Sequence, residues 1–370
     1  MRFPIAIIFC ACLLLSLFSP ERPATLRTAA DRAGILIGTA VRPALFPEAR
    51  YAETLGREFN MIEAEDGMKW WLVRKNEGPF DFTQGDQLVA FARAHGMKVR
   101  GHCLVWDHNN PDWLTKGSFS PEQMSQLLHE HITTMMRHYT GQVFAWDVVN
   151  EALDENGHPK DSPWFNHPGI GMSGQGTAYV EQAFRWAREA DPNALLFYND
   201  NGGEGLGKKS DAIYAMLKDF KQRGVPIDGV GLQMHIDHLD LDRLDFDPQP
   251  VAANIARLAG LGLQVHITEL DVSVPVDKSG NAREQDLQKQ AEIYRSVTRA
   301  CLDTPGCTAI QTWGFTDKYS WIVSHTHGTR GAALPFDRDY RPKPAYDTML
   351  EEISVHGKNR SSATHPAPAR

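Results

Sequence analysis

The chain has 370 residues, 42% hydrophobic and 23% charged, with 30 Gly, a balance that fits a packed globular protein and excludes a disordered or fibrous one. Lys and Arg number 38 against 46 Asp and Glu, a net charge of −8. The deficit is spread along the chain, which argues against a nucleic-acid partner, because that needs a basic face. Length alone leaves two ordinary domains or one large barrel open.

Met1-Arg2 leads into an apolar run over residues 3–18, and residues 1–23 read as a secretory signal. The run approaches bilayer-spanning length, so an uncleaved anchor is the alternative. In either case the remainder is expected to be exported, as a secreted or periplasmic protein. Export changes the reading of the cysteines, because disulfides persist in oxidising compartments. Cys10 and Cys12 leave with the signal. Cys301 and Cys307 bracket a loop whose Pro305-Gly306 turn can bring two sulfurs together, so a disulfide is expected there. Cys103, in an apolar run, reads as a buried structural thiol. No Cys/His metal spacing occurs in the sequence, and neither metal nor cofactor is expected.

From residue 26 the chain alternates. A helical stretch at 26–33 enters a β-rich run at 35–41, and further β-rich runs follow at 58–62, 98–105, 143–149, 194–198, 229–234, 263–268 and 309–313. Segments with helical spacing separate them. Ser120 followed by Pro121 predicts an N-cap and first helical position for a helix running toward Tyr139, and another helix is predicted over 181–190. On the 121–139 helix, His129, His131 and His138 lack the i, i+4 spacing of a ligand pair and are assigned to a solvated face.

The strand starts lie on average about 39 residues apart, enough for a strand, a helix and two loops. Strands apolar along most of their length imply burial on both faces of a parallel sheet, and eight such units close a (β/α)8 TIM barrel. The same alternation would suit an open doubly wound sheet. However, Gly38-Thr39-Ala40-Val41 stands where that fold's G-x-G-x-x-G turn would be. A single α/β catalytic domain is therefore expected over 24–355. Residues 356–370, rich in Gly, Asn, Ser, Pro and Ala without a hydrophobic period, read as a disordered tail.

A barrel of this kind works at the C-terminal ends of its strands, where the βα loops converge. Seven of the eight ends carry polar or aromatic groups. After strand two stand Glu65, Asp66 and Lys69. Strand three carries His102 and leads to Trp106, Asp107 and Asn109; strand four ends in Asn150 and Glu151; strand five runs into Asn199-Asp200-Asn201. The sixth ends Gln233-Met234-His235, the seventh Glu269-Leu270-Asp271 and the eighth Gln311-Thr312-Trp313. Glu151 and Glu269 each follow an apolar strand and face each other across the mouth. Two carboxylates flanking one bond are what glycoside hydrolysis requires, one protonated to assist the leaving group and one ionised to meet the oxocarbenium ion. Like-charge proximity and partial burial are expected to push their pKa values apart.

Trp146-Asp147-Val148-Val149-Asn150-Glu151 resembles the W-D-V-V-N-E segment of family 10 glycoside hydrolases, the endo-1,4-β-xylanases, and His266-Ile267-Thr268-Glu269-Leu270-Asp271 resembles that family's nucleophile segment. The resemblance continues through Met68-Lys69-Trp70, Arg100-Gly101-His102, Gly231-Leu232-Gln233-Met234-His235, Gln311-Thr312-Trp313-Gly314 and Arg341-Pro342-Lys343-Pro344-Ala345-Tyr346, across about residues 26 to 352. It implies retention of configuration, with Glu151 as acid/base and Glu269 as nucleophile. It implies further that Asn150 holds the sugar 2-hydroxyl, and that His235, oriented by Asp271, hydrogen-bonds the nucleophile.

Sugars present C–H faces and a ring of hydroxyls, so Trp106, Trp313 and Trp321 are the candidate platforms, and Glu65, Lys69, His102 and Gln233 the polar contacts. Trp70, Trp71 and Trp186 are assigned to plain packing. The chain departs from the family where Asp66 replaces Asn and where Asp107-His108-Asn109 replaces a segment that begins with His and reaches Gln. These changes predict altered recognition of the sugar on the non-reducing side of the cleaved bond, through Asp66 and Asn109. Cys103, where Thr is common, reads as a core substitution.

The expected partner is a polysaccharide, xylan, taken by a monomer with no obligatory protein partner. Another β-1,4-glycan or an aryl glycoside is the alternative substrate. A metal-dependent barrel hydrolase built on His102, His235 and Asp271 would want His-x-His ending strand one, where Val41-Arg42-Pro43 stands. A non-catalytic carbohydrate-binding barrel would have no need of a second aligned carboxylate.

Overall fold

The computed structural model describes residues 24–236 and 246–364, with side chains described as far as residue 357. The expected signal, residues 1–23, and the end of the expected tail, residues 365–370, lie outside the described residues. Helix α1 (Leu26–Ala33) begins at a capping box in which Thr25 and Thr28 satisfy each other's backbone N–H groups. Eight parallel strands follow: β1 (Leu36–Val41), β2 (Met61–Ala64), β3 (Lys98–Gly101), β4 (Ala145–Asn150), β5 (Leu195–Asp200), β6 (Gly229–Leu232), β7 (Gln264–Val272) and β8 (Cys307–Thr312). Each pairs with the next, and β8 also pairs with β1 in the register Leu36↔Ala309, so the sheet closes and has no edge to protect.

One long helix follows each strand: α2 (Ala49–Glu58), α3 (Thr83–Ala94), α4 (Pro121–His138), α5 (Ala178–Ala190), α6 (Lys208–Gln222), α7 (Gln249–Ala259), α8 (Glu284–Asp303) and α9 (Pro344–Thr364). The apolar faces of this ring and of the strands form one continuous core. The α4 start is the one the sequence predicts, with Ser120 and Gln123 forming a capping box and Pro121 in the first turn. Cys301 and Cys307 form a disulfide, with Cα atoms 5.2 Å apart, joining the end of α8 to the start of β8. Cys103 is free and buried. Among the described residues, no helix is long and apolar enough to cross a membrane.

Three sequence expectations need correction. The second strand starts at Met61 rather than 58, because Glu58 ends α2 and its carboxylate accepts from the Leu26 N–H at 3.2 Å and the Tyr346 hydroxyl at 2.9 Å. This ties both ends of the domain to one helix. The expected disorder from residue 356 is not what residues 356–364 adopt, since α9 runs on to Thr364 and packs against α1 and α8. Gly357 permits this approach: a Cβ there would lie 3.2 Å from the Ala33 backbone nitrogen.

The third correction is His131. His129 and His138 are exposed as expected, but His131 is fully buried, stacked on Trp70 with ring centroids 3.8 Å apart. Its two ring nitrogens have no hydrogen-bond partner, and burial, helped by the Arg74 cation, pushes its pKa from 6.5 down to about 3. In this window the unfolded chain takes up a proton that the folded chain refuses. Stability from this site is therefore present above pH 6.5 and is lost as pH falls toward about 3. Urea midpoints measured across that range should fall with pH by the equivalent of up to ~4 kcal/mol. His131→Phe should flatten the slope, and an unchanged slope would contradict the assignment.

Candidate active site

The strand ends predicted from the sequence converge on an open cleft of about 420 Å³. On β4 a bulge between Asp147 and Val149 resets the register so that Asn150 lies opposite Asn199 of β5. Glu151 follows in a left-handed conformation, φ 55°, that a side-chain-bearing residue adopts at a cost. A bond from its N–H to the Asn199 carbonyl, 2.9 Å, holds it there. After β6, Met234 at φ 68° ends the strand sooner than expected, and a two-residue strand, His235–Ile236, pairs with Asp271–Val272. That kink brings Gln233 and His235 to the same cleft as Glu269, whose N–H donates to the Gln233 carbonyl at 2.9 Å.

Side-chain amides link the two glutamates. Gln233 Nε2 donates to Glu151 Oε1 at 2.8 Å and to Asn150 Oδ1 at 3.2 Å; Asn199 Nδ2 donates to Asn150 Oδ1 at 2.8 Å and to Glu269 Oε1 at 2.7 Å. Thr268 Oγ1 donates to Asn199 Oδ1 at 2.7 Å and fixes which face of that amide points at the carboxylate. Asn199 was visible in the sequence as the end of a strand, but nothing there assigned it a role.

The surroundings of the two carboxylates differ. The other Glu269 oxygen lies 3.1 Å from His235 Nε2, and His235 Nδ1 lies 3.0 Å from Asp271 Oδ1. Desolvation opposes a charge on this ring, but Asp271 and Glu269 outweigh it and hold the imidazole well above its usual pKa. Asp271 itself is anchored by Trp321 Nε1 at 2.8 Å. Glu151 has a different set of neighbours. Burial works to raise its carboxyl, but the Gln233 bond, the Lys160 ammonium and a 3.0 Å bond from Trp106 Nε1 prevail and hold it below the usual carboxylate range. Burial and like-charge proximity, the grounds on which the sequence predicts separated pKa values, would each raise Glu151; the donors, which hydrophobic patterning does not reveal, outweigh them. Lys160, 3.5 Å from Glu151 Oε2, lies in the loop after β4 and carried no sequence signal.

Most of the expected sugar contacts line the cleft: Glu65, Asp66, Lys69, His102, Trp106, Gln233, Trp313 and Trp321. Lys69 sits over the rings of Trp106 and Trp313, 5.0 and 5.4 Å from their centroids, and pairs with Asp66 at 3.3 Å. Glu65 is tied to Arg42 at 2.9 Å. Asn109 is outside the cleft lining. Bonds from Asn110 Nδ2 to the Trp106 and Asp107 carbonyls curl the loop, Asn109 turns left-handed at φ 53° with its carbonyl toward Trp71, and His108 faces the cleft instead. Trp70 packs in the core as expected, whereas Trp71 is 38% exposed.

Beneath the cleft lies a buried ionic layer. Arg100 is fully buried and pairs with Asp147, with Nε–Oδ2 at 3.1 Å, and Nη1 lies 2.8 Å from His266 Nδ1. His102 Nδ1 lies 3.0 Å from Asp147 and 3.3 Å from Glu63, which also accepts from Gln311. Burial would raise Asp147, but Arg100 and His102 hold it low; burial does raise Glu63. Among the described residues, Glu63, His102 and Asp147 are the one group close enough to share a metal ion. The Arg100 guanidinium already supplies the positive charge these carboxylates call for.

The family model described as "Glycosyl hydrolase family 10" matches residues 25–352. The chain is 40% identical over 338 residues to endo-1,4-β-xylanase B of Thermotoga neapolitana, covering 90% of this chain and 93% of that protein. The crystal structure of native xylanase 10B from Thermotoga maritima superimposes with a TM-score of 0.84 at 39% identity, covering 91% of this chain and all of the other. Xylanase 10B from Thermotoga petrophila, solved in complex with xylobiose, superimposes with a TM-score of 0.82 at 39% identity, over 91% of this chain and 99% of that one.

With a carboxylate against each ring nitrogen, His235 should be an imidazolium at neutral pH. Nitrogen-15 NMR at pH 7.5 should report both ring nitrogens protonated, and Asp271→Asn should lower the titration midpoint. A neutral tautomer in the unmodified protein would contradict the charge pairing.

Proposed function

The chain belongs to glycosyl hydrolase family 10, a retaining family, and from that premise we propose how its two carboxylates divide the work of an endo-1,4-β-xylanase. Glu269 attacks the anomeric carbon of the sugar on the non-reducing side of the cleaved bond. Glu151 gives its proton to the departing glycosidic oxygen, leaving a glycosyl ester on Glu269. Glu151, now a carboxylate, takes a proton from water as that water attacks the same carbon and releases Glu269. Two inversions give net retention.

The observation that carries this reading is the amide chain from Glu151 through Gln233, Asn150 and Asn199 to Glu269. It sets both carboxylates at fixed positions on one cleft and leaves their environments unlike. The donors on Glu151 stabilise the carboxylate that appears as its proton leaves, so they act more strongly in the transition state than before it. His235 fixes the orientation of Glu269 through its 3.1 Å contact with Oε2. Asn150 Oδ1 already accepts two amide protons, which leaves the Asn150 amide nitrogen as the donor for the 2-hydroxyl of the reacting sugar.

Xylan as the substrate is supported by relatives named as xylanases and by a neighbour solved with xylobiose. Trp106, Trp313 and Trp321 would offer flat faces to successive sugars, with Glu65, Lys69 and His102 among their hydroxyl partners. Asp66 accepts where an amide could also donate, and its pairing with Lys69 competes with a sugar hydroxyl, so the site beside the reacting sugar is altered on the non-reducing side. Export to an oxidising compartment is part of the proposal, supported by the signal-like N-terminus and the Cys301–Cys307 bridge.

Glu269→Gln should abolish hydrolysis of xylan, lowering kcat by at least ~10⁴-fold, while circular dichroism and xylo-oligosaccharide binding stay close to those of the unmodified protein. Retained turnover would contradict the nucleophile assignment.

A further inference from the structure

Lys160 and Asp107 lie at the acid/base carboxylate but outside the amide chain that links the two glutamates. Lys160 is brought there by a small hairpin after β4. Leu153 bridges to Pro159, the Lys160 N–H donates to the Ala152 carbonyl at 2.9 Å, and the turn between is held by Asp154, whose carboxylate accepts from the Asn156 and His158 N–H groups. The fold-back places Lys160 Nζ 3.5 Å from Glu151 Oε2 and 3.9 Å from Asp107 Oδ2. Asp107 follows Trp106, whose indole donates to that same Glu151 oxygen, and the Trp106 carbonyl is pinned by Trp164 Nε1 at 2.7 Å. One ammonium thus stands between two carboxylates, and only one of these has chemistry to perform.

We propose that Lys160 and Asp107 form a charge pair that sets the proton affinity of Glu151, Lys160 as a positioning residue favouring its carboxylate and Asp107 opposing it both by repulsion and by competing for the ammonium. This rests on the reading of Glu151 as acid/base. The pair is suited to the task because its members are partly shielded, with side chains 24% exposed for Lys160 and 12% for Asp107, so their charges are less screened than those of a surface pair. Oδ1 of Asp107 is buried without a hydrogen-bond partner. Lys160, the exposed His108 3.7 Å away and a backbone N–H compensate that carboxylate, yet burial outweighs them and pushes its pKa up.

Other groups bear on Glu151 from each neighbouring element. From β3 there is His102, from β5 the buried Asp200 with its partner Lys209, from β6 the neutral Gln233 and beyond it His235, and from β7 Glu269. These are common to every state compared below. Lys160 and Asp107 are outside the amide chain and can be changed without touching it. The direction of each change follows from Coulomb's law. Without the ammonium the carboxylate of Glu151 is less favoured and its pKa rises; without Asp107 it loses a repulsive neighbour, keeps Lys160 to itself, and its pKa falls.

The test is the alkaline limb of kcat/KM against pH on xylotetraose, whose sugar leaving group needs Glu151 protonated. Lys160→Met should move that limb up by about half to one pH unit and Asp107→Asn should move it down by a similar amount, the size expected at these distances for a partly solvated pair. Lys160→Arg, which keeps the charge, should restore the limb to within a few tenths of a unit. On an aryl xylobioside with a dinitrophenolate leaving group, which departs without a proton, the limbs of all forms should coincide. Limbs that stay put on xylotetraose, or that move the same way in Lys160→Met and Asp107→Asn, would overturn the proposal. A separate comparison guards the premise: Glu151→Ala should lose far more activity on xylotetraose than on the aryl xylobioside. Equal losses would instead overturn the acid/base reading.

Discussion

Two largely buried carboxylates at the mouth of one barrel need donors to hold them, and in this chain the side-chain amides of Asn199 and Gln233 link the two. A buried carboxylate without donors would take up a proton or destabilise the fold. Each amide nitrogen uses both of its protons. Asn199 donates to Glu269 and to Asn150 and accepts from Thr268, while Gln233 donates to Glu151 and to Asn150. The bonds join the ends of β4, β5, β6 and β7, so they need four consecutive parallel strands in fixed register. Barrel closure supplies that register, and the bulge in β4 tunes it at Asn150.

Around this neutral bridge the charges are layered. Below it, Arg100, Asp147, His102 and Glu63 make a fully desolvated ionic layer that fills the barrel interior, where branched apolar side chains would otherwise pack. Such a layer is costly to break, because removing one member leaves the others buried and uncompensated. At the level of the cleft, Glu269 is held by His235, whose pKa its two carboxylate neighbours raise, and Glu151 by neutral donors and an ammonium that also faces Asp107. The same residue type thus meets two different sets of partners within a single cleft.

The architecture was legible in the sequence because a buried strand and an amphipathic helix carry different hydrophobic periods, and eight repeats of the alternation leave little choice of fold. The two facing glutamates were legible because both directly follow such strands. Boundaries were less so. Glu58 reads as the start of a strand until its carboxylate is seen capping α1 and meeting Tyr346, contacts about 30 and nearly 290 residues distant in sequence. His131 reads as a solvated residue because spacing on one helix says nothing of Trp70, which stacks on it from the short helix Trp70–Val73 after β2. Lys160 and the direction of the Glu151 pKa were illegible for the same reason: a hairpin folding back on its own strand end leaves no periodic trace. Asn109 was misplaced because a left-handed turn moves a side chain off a face that sequence register alone would assign to it.

The central claim is that Glu269 bonds covalently to the sugar while Glu151 handles the proton, and trapping that bond tests it most directly. A 2-deoxy-2-fluoro xylobioside with a good leaving group slows both steps but leaves formation faster than hydrolysis. Incubation should raise the intact mass by one fluorinated disaccharide, and peptide mapping should locate the adduct on Glu269. An unlabelled protein that still hydrolyses xylan, or a label on any other residue, would contradict the account.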